Sequence, residues 1–216
     1  AAFPISLPTG SSLGVTYINN SIRWAYLVGC TRIDTTDDRF APAGLTDDQA
    51  MEMMKRSYGM VLETAARYGM TINIEPHGYY TTKPEFMEQM LNFFDTPHLR
   101  MNMDTGNTFI AGQDPVAFLQ RFKHKVSHVH VKDVSQSLAA SMRGELTGIA
   151  VSHTAIGDGA NVDNIRKCFD ILVEIGYDGV VSIECEGQGG PMIERSLAWV
   201  RELVTDANTR IAAKAR

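Results

Sequence analysis

Cysteine is scarce: Cys30, Cys168 and Cys185 are the only three in 216 residues. They form neither a CxxC pair nor an even-numbered framework, which excludes a disulfide scaffold and a zinc ribbon. A reducing compartment, the cytoplasm, is the expectation. No apolar run approaches the ~20 residues that span a bilayer, so no membrane partner is expected. Basic charge is short as well: 20 Lys and Arg against 25 Asp and Glu leave a net charge of −5. That is the wrong sign for a phosphate backbone, and nucleic acid is not an expected partner. Neither GxGxxG nor GxxxxGK[ST] follows a strand-like run, so the phosphate-cradling loop of the nucleotide-binding sheets is missing too.

What is present is an alternation of short apolar runs with helical patterns. Apolar spacing predicts a helix over about 12–28, then a short strand over 30–34. Thr46-Asp-Asp-Gln49 is a capping-box pattern that opens a long helix, closed by Gly69. Strands follow at 71–75, 99–104, 126–131 and 179–184. Helices are expected at 84–95, at 115–123 behind an Asp114 cap with proline at its first position, at 162–175 and at 191–204. The segment from Lys132 to Gly159 reads as one long loop, and the alanine-rich tail from Thr205 as frayed. Trp24 and Trp199 read as helix packing. Strand and helix alternating in this way mean βαβ units and a parallel sheet.

Strand parity chooses between an open sheet and a closed barrel. Alternate strand residues face opposite sides. Ile72 and Ile74 oppose Asn73 and Glu75, and Met101 and Met103 oppose Asn102 and Asp104. Val129 and Val131 separate His128, His130 and Lys132, while Val181 and Ile183 oppose Ser182 and Glu184. Four strands thus carry one apolar face and one polar face that ends in a carboxylate or an imidazole. Each such group lies at the C-terminal end of its strand, where barrel enzymes keep their chemistry. An open sheet covered by helices on both faces would bury these groups, whereas a closed parallel (β/α)8 TIM barrel lets them converge. Glu75, Asp104, His130 and Glu184 together are an oxygen-rich donor set with one nitrogen. That set suits one divalent metal ion, Mn²⁺ foremost, with Mg²⁺, Co²⁺ and Zn²⁺ as the other candidates.

The strings Ile74-Glu-Pro-His77, Met103-Asp-Thr-Gly-Asn107, His128-Val-His-Val-Lys-Asp133, Ile156-Gly-Asp-Gly159 and Ser182-Ile-Glu-Cys-Glu-Gly187 occur in chain order. As an ordered set over roughly residues 20 to 204, they resemble the xylose isomerase-like superfamily of sugar (phosphate) isomerases and epimerases. The resemblance implies that Glu75, Asp104, His130 and Glu184 bind the metal. It implies that Glu75 and Glu184 transfer protons on opposite faces of a sugar or keto-sugar, through a metal-stabilised enediolate, and that Asn107 binds substrate. Isomerisation or epimerisation is the leading expectation. Glu-Pro-His is also similar to the sequence in inosose dehydratases and in the larger subunit of C-glycoside-cleaving enzymes. A lyase on a keto-inositol or 3-keto-glycoside, with His77 as base, is therefore the alternative. A homo-oligomer, or a hetero-oligomer with a small subunit, is the implied assembly. A DNA-repair endonuclease of the same superfamily would need more histidine ligands and a basic face. A non-catalytic sugar-binding module would not need the ordered ligands.

The remaining polar residues are assigned around that set. His77, past a strand end, is expected as a base or substrate contact rather than a cap. His128 and Lys132 share parity with His130: His128 reads as a substrate contact or a hydrogen-bonded barrel-layer histidine, and Lys132 as a substrate anchor or the partner of a neighbouring carboxylate. Glu186 is expected near the substrate behind Glu184. The 132–159 segment is expected to act as a lid that brings Arg143 or His153 to the substrate, the alternative being that both are solvated loop positions. The family supplies about two more β/α units ahead of the point where this chain begins, and residues 1–6 read as the tail of a strand. The expectation is one barrel domain over residues 1–216, incomplete at its N-terminal side.

Overall fold

The structure, a computed structural model, describes residues 11–144, 147–186 and 189–214. The strand tail expected over residues 1–6 lies outside them. Contacts divide the chain into two units, Ala1–Asn102 and Met103–Arg216, with the boundary inside one strand.

In the first unit, helix α1 (Ser11–Leu27) leads to strand β1 (Arg32–Thr35), and helix α2 (Asp47–Tyr68) to strand β2 (Thr71–Ile74). Helix α3 (Pro84–Leu91) then leads to β3 (Leu99–Asp104). α2 starts where the capping box predicts: the Thr46 hydroxyl accepts the Gln49 N–H, and the Gln49 side chain accepts the Thr46 N–H. It stops at Gly69, whose φ of 63° lets its N–H turn back to Ala65 and Ala66, a conformation that costs a residue with a Cβ. Ala50, Met54, Val61 and Ala65 of α2 recur at helical spacing and are buried, as are Ile18 and Ile22 of α1, which packs on it. The strands run parallel in the order β1-β2-β3, with Ile33 beside Ile72 and Ile72 beside Leu99. Trp24 departs from expectation: it is 70% exposed, because α1 turns its Ile18–Ile22 side to α2. α3 also ends early, at Leu91, with Asn92 as its cap.

The second unit continues from Met103 through helices α4 (Thr105–Ile110) and α5 (Pro115–Phe122) to strand β4 (Val126–Val131). Helices α6 (Gln136–Met142) and α7 (Val162–Glu174), strand β5 (Val180–Ile183) and helix α8 (Gly190–Lys214) complete it. β4 and β5 pair in parallel, with His130 beside Ser182. α5 and α8 pack against α7, burying Phe118, Leu119, Ile165, Phe169, Leu172 and Val200. Three expectations are corrected here. Asp104 ends β3 and caps α4 at once, so a helix follows where none was expected. The 132–159 segment contains α6, started by the Ser135 hydroxyl accepting the Leu138 N–H. The tail is helical to Lys214 because tertiary contacts hold it: Arg210 pairs with Asp170 of α7 at 2.8 Å and Ala207 is buried.

Candidate metal centre

Strand alternation in the second unit turns Val129 and Val131 into the core and leaves His128, His130 and Lys132 on the opposite side. Asp104 comes from the end of β3, His130 from β4 and Glu184 from the residue after β5, whose N–H still bonds the Val131 carbonyl at 2.9 Å. These three offer ligand atoms within 4.8 Å of one another. His130 Nδ1 lies 3.2 Å from Glu184 Oε2 and 3.7 Å from Asp104 Oδ2. Asp104 is fully buried, and its other oxygen, Oδ1, accepts the Asn107 N–H at 2.6 Å. The α4 cap therefore fixes the carboxylate and leaves Oδ2 on the His130 side. Burial pushes the Glu184 carboxyl up. Hydrogen bonding with His130 and Asp104 and the charge of Lys132 outweigh that, holding it well below the usual carboxylate range. Burial likewise pushes the Lys132 ammonium down, but the charges of Asp104, Glu184 and Glu186 leave it raised. Two carboxylates and an imidazole within reach of one point fit a divalent cation by their chemistry and their spacing.

The other expected residues of this unit fall into two groups. His128 is buried; its ring meets His130 edge-on at 4.6 Å and its Nε2 shares a hydrogen bond with the Ser182 hydroxyl at 2.8 Å. Lys132 pairs with Glu184 at 2.9 Å and Glu186 at 3.1 Å. Asn107 is fully buried on the first turn of α4. Arg143 and His153 are placed otherwise. Arg143 is exposed, donates to the Phe109 and Gln113 carbonyls at the end of α4 and lies over the Phe109 ring. His153 is exposed and lines a surface depression with Ser135, Leu138 and Ser141.

In the first unit, Glu75 directly follows β2. Its N–H bonds the Thr35 carbonyl at 2.8 Å, and its Oε2 accepts the buried Asn102 amide at 3.3 Å. His77 is half-buried, with its N–H on the Thr81 hydroxyl at 3.1 Å. Sequence reasoning missed Asp37 in this unit. It is buried and accepts the N–H groups of Tyr80 and Thr81 and the Thr81 hydroxyl, tying the loop after β1 to the loop after β2. Gly78 makes that approach possible, since a Cβ there would lie 2.1 Å from Asp37 Oδ1. It also missed Asp133. Neither carries a local signal in the sequence, since the glycine turns that meet them, at Gly78 and at Gly157–Gly159, lie far along the chain.

Parallel β/α architecture with carboxylates and an imidazole at the strand ends is the arrangement of a barrel-type fold with a candidate metal-binding group. The comparisons agree: a family described as the xylose isomerase-like TIM barrel matches residues 8–203, and the chain belongs to that family. It is similar to an inosose dehydratase of Clostridium botulinum (strain Alaska E43 / Type E3), 28% identical over 148 residues, covering 65% of this chain and 48% of that enzyme. The chain thus spans about half the length of the curated relatives it matches. Among solved structures, a D-tagatose 3-epimerase-like protein superposes with a TM-score of 0.75 at 21% identity, covering 94% of this chain and 73% of that one. A xylose isomerase-like TIM barrel protein from Mycobacterium smegmatis in complex with magnesium gives 0.71 at 16% identity, covering 94% and 70%. At those identities the two structures speak to fold alone.

Proposed function

We propose that this chain carries the site of a divalent-metal-dependent, sugar-modifying enzyme that abstracts a proton beside the carbonyl of a polyhydroxylated ketone. The observation that carries the proposal is the convergence of Asp104, His130 and Glu184 from three successive strand ends. Strand parity and the family resemblance add Glu75 as the fourth ligand. When bound, the ion supplies Lewis acidity at the substrate carbonyl, which makes the neighbouring C–H more acidic. Glu75 accepts that proton, and Asn102, bonded to its Oε2, orients the carboxylate. Glu184, on the other face, relays a proton taken up from solvent to the carbon, which inverts it, while Glu75 releases its proton to solvent. Asn107 and His128 orient the substrate hydroxyls. The inosose dehydratase similarity favours a second outcome of the same first step. There, His77 takes the proton and the hydroxyl on the next carbon is protonated and leaves as water.

Metal analysis of the purified protein tests the site. About one divalent ion per chain is expected, with Mn²⁺ the best fit, and Asp104→Asn or Glu184→Gln should abolish binding while the far-UV spectrum stays unchanged. Full occupancy in both variants would remove the assignment. Turnover in deuterated water then tells the outcomes apart. A ketose epimerase returns substrate and product labelled beside the carbonyl, whereas a dehydratase acting on a keto-inositol releases an unsaturated ketone. Turnover that retains the original hydrogen rules out both.

A further inference from the structure

The residue between the metal ligands and the 152–161 segment is Lys132. It is 1% exposed, and both its backbone groups are held by Thr105: the N–H donates to the Thr105 hydroxyl and the carbonyl accepts from it, each at 3.0 Å. Its stem fills the space over Gly106, where a Cβ would lie 2.5 Å from Lys132 Cγ. The ammonium reaches two carboxylates, Glu184 Oε1 at 2.9 Å and Glu186 Oε2 at 3.1 Å. Glu186 Oε2 also accepts the Ser152 N–H at 2.6 Å.

Ser152 is itself fixed, since its hydroxyl donates to the Asp133 carbonyl at 2.6 Å. The Asp133 carboxylate, 1% exposed, accepts four backbone N–H groups: Val134 at 2.9 Å, Gly157 at 3.0 Å, Gly159 at 2.9 Å and Asn161 at 3.0 Å. That accounts for Ile156-Gly-Asp-Gly159. The turn carries φ +103° at Gly157, and a Cβ on Gly159 would lie 2.3 Å from Asp133 Oδ1. The motif's Gly157 and Gly159 N–H groups wrap the chain's own aspartate.

We infer that Lys132 is a positioning residue rather than a substrate contact. It holds Glu184 by Oε1 so that Oε2 faces His130, and Glu186, anchored on the 152–161 segment, holds Lys132 in turn. This inference rests on the metal reading above. It differs from a simple counter-charge in the sign of one effect. A loose ammonium competes with the bound cation, so deleting it tightens metal binding. A strut that orients a ligand weakens binding when deleted, typically on the order of ten- to a hundredfold for groups that hold metal ligands in place.

The test is titration of the metal-free full chain with Mn²⁺, following the paramagnetic resonance signal of the free ion. Lys132→Met should weaken binding by on the order of tenfold or more. Glu186→Gln should weaken it less, and should add nothing in the Lys132→Met background, because Glu186 acts through Lys132. Unchanged or tighter binding in Lys132→Met overturns the inference, as do additive losses in the double variant. Should Lys132→Met fail to fold, Glu186→Gln decides alone: unchanged affinity with an intact near-UV spectrum overturns the strut. If the wild-type chain binds no Mn²⁺, the metal reading itself fails. Wild-type binding with insensitive variants rejects only the role of Lys132.

Discussion

Glu184 shows how one side chain serves several neighbours. Its Oε1 meets the Lys132 ammonium and its Oε2 lies toward His130, so both oxygens depend on the ionised form. Because its folded pKa is depressed, it contributes stability above the ordinary glutamate value of about 4.3, and that contribution is lost as pH falls below it. The metal-free protein should therefore lose denaturant resistance between pH 6 and 3 more steeply than its Glu184→Gln variant, as urea midpoints at each pH would register; parallel curves would contradict the pairing. Glycines set equally local limits. Gly159→Ala forces a methyl against Asp133 and the Val134 carbonyl, and should destabilise by about 1–3 kcal/mol, the usual range for overpacking. Equilibrium unfolding measures it, and a change within a few tenths would show that the turn yields freely.

Among the elements, α2 is the one whose limits follow most directly from its own residues. Thr46→Ala removes one half of the capping box and should cost about 1 kcal/mol, seen as a lower unfolding midpoint with unchanged slope. The two short helices behave differently. α4 exists because Asp104 and Thr108 bond across its first turn, the Asp104 carboxylate to the Asn107 N–H and the Thr108 hydroxyl to the Asp104 carbonyl. α6, with no buried residue, lies in the segment expected to act as a lid. Replacing Gln136–Met142 by a short glycine–serine link should raise the KM of the eventual substrate while bound metal stays unchanged. Unaltered kinetics would make the helix dispensable. α8 departs from its sequence pattern in the opposite direction: a polar, alanine-rich end stays helical because Lys214 reaches the Val173 carbonyl and Arg210 pairs with Asp170.

For the whole molecule, metal binding should appear as stability, since a ligand that binds only the folded state adds about 2.7 kcal/mol when its concentration is a hundred times its Kd. The melting temperature of the protein should rise on adding Mn²⁺ and fall on adding a chelator, and indifference to both would argue against a site formed by the fold. The sequence by itself determined the parallel β/α class, the limits of α2, β3 and β4, and the parity of Asp104, His130 and Glu184. Each of these follows from local rules: apolar period, cap chemistry and the two-residue repeat of a strand. It could not determine that Lys132 and Glu186 face each other, that Arg143 turns to the end of α4, or that Asp133 gathers the turn at Gly157–Gly159. Those pairings join residues far apart in the chain, and whether a charged side chain meets a partner or water depends on what the fold brings beside it. Burial decided the rest, because Lys132 is committed to its two carboxylates only once the stem is enclosed over Gly106.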